Sequence, residues 1–269
     1  MDTASEIQHF YATGNEFARL SRGIGPLEHQ RTREMVLKHV PECPAFIADV
    51  GGAHGVYAFW LAALGHQVHL LDLSPEHIHE AQNLTNAEGV PALASIQVGD
   101  ARALPFDSAS MDVVLLQGPL YHLMEQGDRH QALTEAFRVL KTGGKVLACG
   151  ITHTASLMVG IHREWLWDLD YFEMVQQEVN TGLHHKPESW PNLFMDAFFH
   201  HPEHMKAELE QAGFQVQEML GIEGPAWAIP DFEMAWQDHG KRTRILETAR
   251  LVEKDPILSP HFVAVGIKP

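Results

Sequence analysis

Phe46-Ile47-Ala48-Asp49-Val50-Gly51-Gly52-Ala53-His54-Gly55 decides the fold, together with Leu70-Leu71-Asp72-Leu73-Ser74 downstream of it. The apolar run from Phe46 to Val50 predicts a buried parallel strand. The glycines after it permit a tight turn and close approach of a ligand to the main chain. Val56 to Leu64 predicts the following helix, with its N-terminal amides facing the same ligand. Gln67 to Leu71 predicts a second buried strand, ending in the carboxylate of Asp72. At that place in a Rossmann-like sheet an acid hydrogen-bonds the two ribose hydroxyls of a nucleoside. An adenosine-containing cofactor is therefore expected.

The glycine spacing argues against a dinucleotide, because a pyrophosphate calls for G-x-G-x-x-G opening onto a helix N-terminus. Here the order is Asp49-x-Gly51-x-x-x-Gly55, with Ala53 where a middle glycine is common. A carboxylate at Asp49 would repel a phosphate and attract an ammonium group. The segment resembles motif I of the class I S-adenosylmethionine-dependent methyltransferases, and Asp72 resembles their acidic ribose-binding residue. Later motifs follow in family order. Ile96-Gln97-Val98-Gly99-Asp100-Ala101 predicts a third strand, and the resemblance implies that Asp100 and the backbone amide of Ala101 meet the adenine edge. Leu104-Pro105-Phe106-Asp107 is a turn into a fourth buried strand, Met111 to Gln117. Leu140-Lys141-Thr142-Gly143-Gly144-Lys145-Val146-Leu147-Ala148 reads as a helix end, a glycine turn and a fifth strand, similar to the family's "LKPGG" signature with Thr142 in place of proline. The resemblance covers residues 46–150 well and the flanks much less. It is closest to the small-molecule type that includes the ubiquinone and menaquinone C-methyltransferases.

The fold implied is α/β: a Rossmann-like, seven-stranded, mostly parallel sheet with helices on both faces, its last strand antiparallel, plus helical lid insertions. Residues 1–40 form an N-terminal helical cap carrying Phe10, Tyr11, Phe17 and Leu20, and residues 41–150 the cofactor-binding core. Residues 151–203 form an aromatic-rich lid with Trp165, Trp167, Tyr171, Phe172, Trp190, Phe194, Phe198 and Phe199. Residues 204–269 complete the core. His204 to Gly213 predicts a helix stopped by glycine, Phe214 to Leu220 a sixth strand and His261 to Ile267 the last one. An insertion over 224–260 carries Trp227 and Trp236. Most of these rings are expected to pack the lid onto the core, since large apolar side chains go inside. A few are expected to line an apolar acceptor pocket.

Composition narrows the partners. Nineteen basic against thirty-five acidic residues give a net charge of −16 with histidine neutral. The basic face of a nucleic-acid binder is missing, and Lys241-Arg242-Thr243-Arg244 reads as a solvated helix face. The acidic balance also disfavours anionic membranes. No apolar run approaches the ~20 residues that span a bilayer, and the first residues do not resemble a cleavable signal. A cytoplasmic monomer or homodimer is the expectation. Cys43 and Cys149 are expected to be reduced and structural, Cys149 as core.

Within the cofactor site the resemblance places Gly51, Gly52 and Gly55 at the backbone approach, Asp49 at the methionine ammonium, Asp72 and Leu73 at the ribose, Asp100 and Ala101 at the adenine, and Gln117 beside the cofactor. The best catalytic candidates sit in Gln117-Gly118-Pro119-Leu120-Tyr121-His122-Leu123, where Tyr121 and His122 are proton-active. A base there contributes ~10²–10⁴-fold, yet alignment alone can supply ~7–11 kcal/mol of a methyl-transfer barrier. Tyr11, Arg19, Trp165 and Trp227 are the substrate-side candidates. Arg19, Arg22 and Arg163 read as isolated cations suited to an acceptor carboxylate or phenolate. Nineteen histidines suggest metal, but His77, His79 and the pairs His184-His185 and His200-His201 with His204 lack a ligand pattern, so no metal is expected. The reaction implied is SN2 transfer of a methyl group to an O, N or C nucleophile of a small, aromatic or apolar metabolite. The alternatives are an inactive cofactor-binding regulatory or scaffold protein and, disfavoured by Asp49, aminopropyl transfer.

Overall fold

The computed structural model describes residues 16–42 and 44–269, with side chains from Arg19 onward. Tyr11, Phe10 and Cys43, and the side chain of Phe17, lie outside the described residues.

Seven strands build one sheet: β1 (Phe46–Val50), β2 (Gln67–Asp72), β3 (Ser95–Val98), β4 (Met111–Leu116), β5 (Leu140–Ile151), then, after the short hairpin strands β6 (Leu183–His184) and β7 (Ala197–Phe198), β8 (Gln215–Gly221) and β9 (His261–Ile267). The spatial order is β3-β2-β1-β4-β5-β9-β8, with β9 antiparallel to both of its neighbours. This is the seven-stranded, mostly parallel sheet that the glycine loops and apolar runs imply. Strands buried on both faces read as continuous apolar runs, and alternate residues feed two cores. Val50, Leu71, Val114 and Leu116 face one side, and Ile47, Val68, Leu70, Val113 and Leu115 the other.

Register sets the site. Val50 pairs with Leu71 and with Leu116, so Gly51, Asp72 and Gln117 emerge side by side at the carboxyl edge. Ile151 pairs with His261 and Gly221 with Phe262, which brings the start of β9 to the same edge. The sequence reading ended the preceding helix within Leu140-Lys141-Thr142; the helix stops at Val139 and β5 already begins at Leu140. The Gly143-Gly144 turn becomes an irregularity inside the strand, absorbed by a register shift opposite Met111 and Val113 and tied down by Gly143 N–H to Lys268 O at 2.8 Å. The helix predicted from His204 begins at Pro202, whose fixed φ suits a first helical position.

The Gly25–His39 helix buries Met35 and Val36 against the sheet and Leu27 against Ala226, Phe232, Ile245 and Leu246 of the 224–251 segment. Helices Ala155–Arg163 and Leu169–Thr181 follow β5. Among the described residues no helix is long and apolar enough to cross a membrane.

Candidate functional site

The turn after β1 is shaped by what cannot be there. At Gly51, φ is +72° and an added Cβ would lie 2.6 Å from Pro119 Cδ. At Gly52 it would lie 2.6 Å from both Asp49 Cγ and Leu70 Cδ1. The loop therefore runs close over the sheet edge, tied down by Gly51 N–H to Leu71 O at 2.7 Å. Ala53 takes a left-handed conformation at φ 50°, which disfavours a residue with a Cβ, and its N–H donates to Asp72 Oδ2 at 2.8 Å. Asp72 Oδ1 accepts from Ser74 N–H at 2.9 Å and faces His77 Nδ1 at 3.1 Å. Asp72 is thus fixed as a buried acid at the end of β2, on the wall of the ligand space.

One cavity of about 1020 Å³ runs from this loop to the lid. Gly51, Gly52, Asp72, Leu73, Asp100, Ala101, Gln117, Tyr121 and His122 all line it, as do Arg19, Trp165 and Trp227. Gly55 and Asp49 do not. Gly55 starts the Val56–Ala63 helix at φ +89°, packed 3.0 Å (by an added Cβ) from Leu70. Asp49 is fully buried behind the loop, against Gly52, and neither oxygen makes a hydrogen bond of ordinary geometry. Burial and the charge of Asp72 push its carboxyl up to about 7, offset only in part by the Ala58 N–H. The acid read as a contact for an ammonium thus sits one layer behind the cavity wall.

Asp100 lies on the wall, but Arg102 forks onto it, with Nη2 to Oδ2 at 2.7 Å and the Arg102 N–H to Oδ1 at 2.8 Å. These bonds hold the Asp100 carboxyl below its ordinary range despite partial burial.

The loop after β4 forms a short helix, Pro119–His122, with Leu120 and His122 buried. The Tyr121 hydroxyl donates to Gln117 O at 3.4 Å, and its ring lies 4.7 Å from that of His122. Burial pushes His122 down to about 4, so it is a neutral imidazole near pH 7. Arg129 supports this loop from behind: its Nη1 donates to Leu123 O and Met124 O, its guanidinium forks onto Glu208, and it lies 3.7 Å over the Phe198 ring.

Beyond the loop the cavity widens under the lid. Trp165, Tyr171, Phe194 and Phe199 reach the wall, with Trp190 packed behind Trp165 and Tyr171. Trp167 is 85% exposed and Phe198 packs under Arg129, so neither contributes. Trp227 meets His162 edge-on at 5.2 Å. Arg163 lines the cavity. Arg19 does too, but it is not an isolated cation: its Nη1 and Nη2 bind Glu28 at 2.6 and 2.9 Å. Cys149, read as core, is buried and also on the wall, its thiol 3.3 Å from Gln117 Oε1 and its pKa raised by burial.

Three further residues meet at the deep end. Glu28 and His261 line the cavity, and Glu223 lies fully buried behind His261. A nitrogen of His261 and one oxygen from each glutamate lie within 4.8 Å of one another. Sequence reasoning missed this group, since the residues are far apart in the chain and none stands in a motif. The histidine pairs behave otherwise. His184 is bonded to Glu178 and Phe194 O, His185 to Asp196, and His200 to Glu208. Among the described residues they form no cluster with metal-ligand spacing.

The glycine turn, the acid at the end of β2 and the cavity beside them fit S-adenosylmethionine: Gly51 and Gly52 offer bare backbone, and Asp72 offers a fixed acceptor for a ribose diol. Residues 48–148 match the family model described as "Methyltransferase domain". A glycine/sarcosine/dimethylglycine N-methyltransferase of Actinopolyspora halophila is 35% identical over 38% of this chain and 18% of its own length. A ubiquinone/menaquinone biosynthesis C-methyltransferase of Cereibacter sphaeroides is 28% identical over 48% of this chain and 50% of its own. The matches thus span at most half the length of these two curated relatives. A solved S-adenosylmethionine-dependent methyltransferase from Methanosarcina mazei shares the fold, with a TM-score of 0.61, 18% identity, and coverage of 87% of this chain and 96% of that one. The similarity is thus to S-adenosylmethionine-dependent methyltransferases, and the matching family model covers residues 48–148.

Proposed function

We propose that this chain transfers the methyl group of S-adenosylmethionine to a small molecule held under the lid. The observation that carries the reading is the continuity of one large cavity, from Asp72 and the glycine loop to the aromatic wall. When bound, the cofactor supplies a sulfonium methyl group, already activated toward a nucleophile. Asp72 would hold the ribose, Gly51 and Gly52 would admit the methionine part against the main chain, and Asp100 with Ala101 would meet the adenine. Asp49, behind the wall, would act on a cofactor ammonium through the loop or a water rather than by direct contact.

The chain's own contribution at the reacting end is chiefly placement. His122 is neutral near pH 7 but, with its pKa near 4, a weak base, so it can accept a proton only from an acidic nucleophile. Tyr121, Phe194 and Phe199 exclude water and orient the acceptor, and in-line alignment can supply ~7–11 kcal/mol. The relatives above include both an N- and a C-methyltransferase, so the atom methylated stays open among O, N and C. The inactive-scaffold alternative is not favoured.

Incubation with S-adenosylmethionine labelled on the methyl group and a panel of small phenols, amines and quinones tests the reading. Formation of S-adenosylhomocysteine in step with a labelled acceptor is expected. Cofactor binding without turnover on any class would favour the scaffold alternative.

A further inference from the structure

The polar group at the deep end of the cavity is internally balanced, and that balance selects its guest. Glu223 is wholly buried and wholly engaged: Ser259 Oγ donates to its Oε2 at 2.7 Å, His261 N–H to the same oxygen at 3.2 Å, and His261 Nδ1 to Oε1 at 2.6 Å. Ser259 Oγ in turn accepts from the N–H groups of Glu223 and Gly224. The imidazole is therefore pinned by its Nδ1, and its side chain, 26% exposed, lines the cavity. Glu28 stands opposite, with its charge met by the Arg19 fork.

The groups facing His261 are Glu223, Glu28 and Arg19. The two carboxylates outweigh burial and Arg19 and raise the imidazole to about 9. Near neutral pH these four side chains thus carry two positive and two negative charges. An ammonium or a carboxylate placed there would be a fifth, uncompensated charge in a mostly apolar chamber, which burial disfavours. A neutral hydroxyl adds no charge and can both accept and donate. His261 and Glu28 both line the cavity, and a nitrogen of one lies within 4.8 Å of a carboxylate oxygen of the other.

Resting on the methyltransferase reading, we propose that His261 and Glu28 form a recognition site for an uncharged hydroxyl group of the acceptor, with His261 donating and Glu28 accepting. Glu223 and Ser259 are positioning residues that act through His261. The site makes the acceptor an aromatic or apolar molecule that ends in a neutral hydroxyl, not in a carboxylate or an amine.

Fluorescence titration of the protein saturated with S-adenosylhomocysteine tests this with four probes of one ring system: 2-naphthol, 2-methoxynaphthalene, 2-naphthoate and 2-naphthylmethylamine. The naphthol is expected to bind at least tenfold more tightly than each of the others, since losing a charge-assisted hydrogen bond to a buried group costs about a factor of ten or more. Glu28→Gln and His261→Gln should each erase the preference over the methyl ether while leaving S-adenosylhomocysteine affinity in place. Equal binding of naphthol and its ether overturns the proposal without recourse to variants. Tightest binding of the amine or of the carboxylate overturns it in favour of a charged acceptor. The S-adenosylhomocysteine titration, read separately, reports on the cofactor site alone, so loss of that binding refutes the methyltransferase reading and not merely the hydroxyl site.

Discussion

Replacing Asp72 by Asn removes one charge while keeping the side chain's volume. In the folded protein both carboxylate oxygens accept backbone N–H bonds, from Ala53 at 2.8 Å and Ser74 at 2.9 Å. The amide keeps one acceptor and turns an NH₂ toward the other N–H, so one buried donor loses its partner, at about 1–3 kcal/mol. For a chain of this size that lowers Tm by several degrees. On the ligand side, two charge-assisted bonds to a ribose diol become neutral ones. A loss of about 1 kcal/mol each, with some disturbance of the loop, gives about 2–3 kcal/mol, or roughly a 30- to 150-fold weaker Kd. Calorimetric titration with S-adenosylhomocysteine, run well below the variant's Tm, separates the two effects. Removing the Asp72 charge should also let Asp49 titrate below the value near 7 it has in the native protein. Native-like affinity in a folded Asp72→Asn protein would refute the ribose role and the physical reasoning behind it.

Other expectations follow from the same geometry. Because the folded protein holds the Asp49 carboxyl near 7, above its ordinary value of 3.8, it binds a proton that the unfolded chain has released. Its contribution to stability is present below about pH 4 and is lost as pH rises toward 7; Asp49→Asn should remove that component when urea midpoints are compared from pH 4 to 8, and an identical pH dependence in the two proteins would contradict it. The ring protons of His122 should show no titration by NMR above pH 5, in contrast to an ordinary histidine near 6.5; a midpoint between 6 and 7 would mean the ring is far better solvated. Arg129→Met strands the Glu208 carboxylate and should cost about 3–5 kcal/mol; adding Glu208→Gln should recover part of that in chemical denaturation, and strict additivity would deny the pairing.

The glycine turn and the acid beside it were legible because local chemistry writes them. A tight turn requires glycine at Gly51, and an acid at the end of a buried strand is conspicuous at Asp72. The deep end was not, because Glu28, Glu223 and His261 meet only through the antiparallel insertion of β9 between β5 and β8. The protonation of His122 and the placement of Asp49 were hidden for a related reason: both depend on burial by elements remote in sequence. Arg19 looked isolated in one dimension, yet Glu28 lies beside it across the turn into the Gly25–His39 helix. Cys149 read as core because strand periodicity does not say where the cavity begins. The sequence places the start of β5 after the glycine pair rather than at Leu140, because a glycine pair signals a turn equally well between elements and inside a strand.

The central claim is that the glycine loop and Asp72 hold S-adenosylmethionine at one end of a reaction cavity. Isothermal titration of the native protein with S-adenosylmethionine and with S-adenosylhomocysteine tests it most directly. One site per chain, micromolar for both, with the demethylated product bound more tightly, is the result predicted. No heat of binding from either compound would contradict it, and with it every role assigned to Gly51, Asp72 and Asp100.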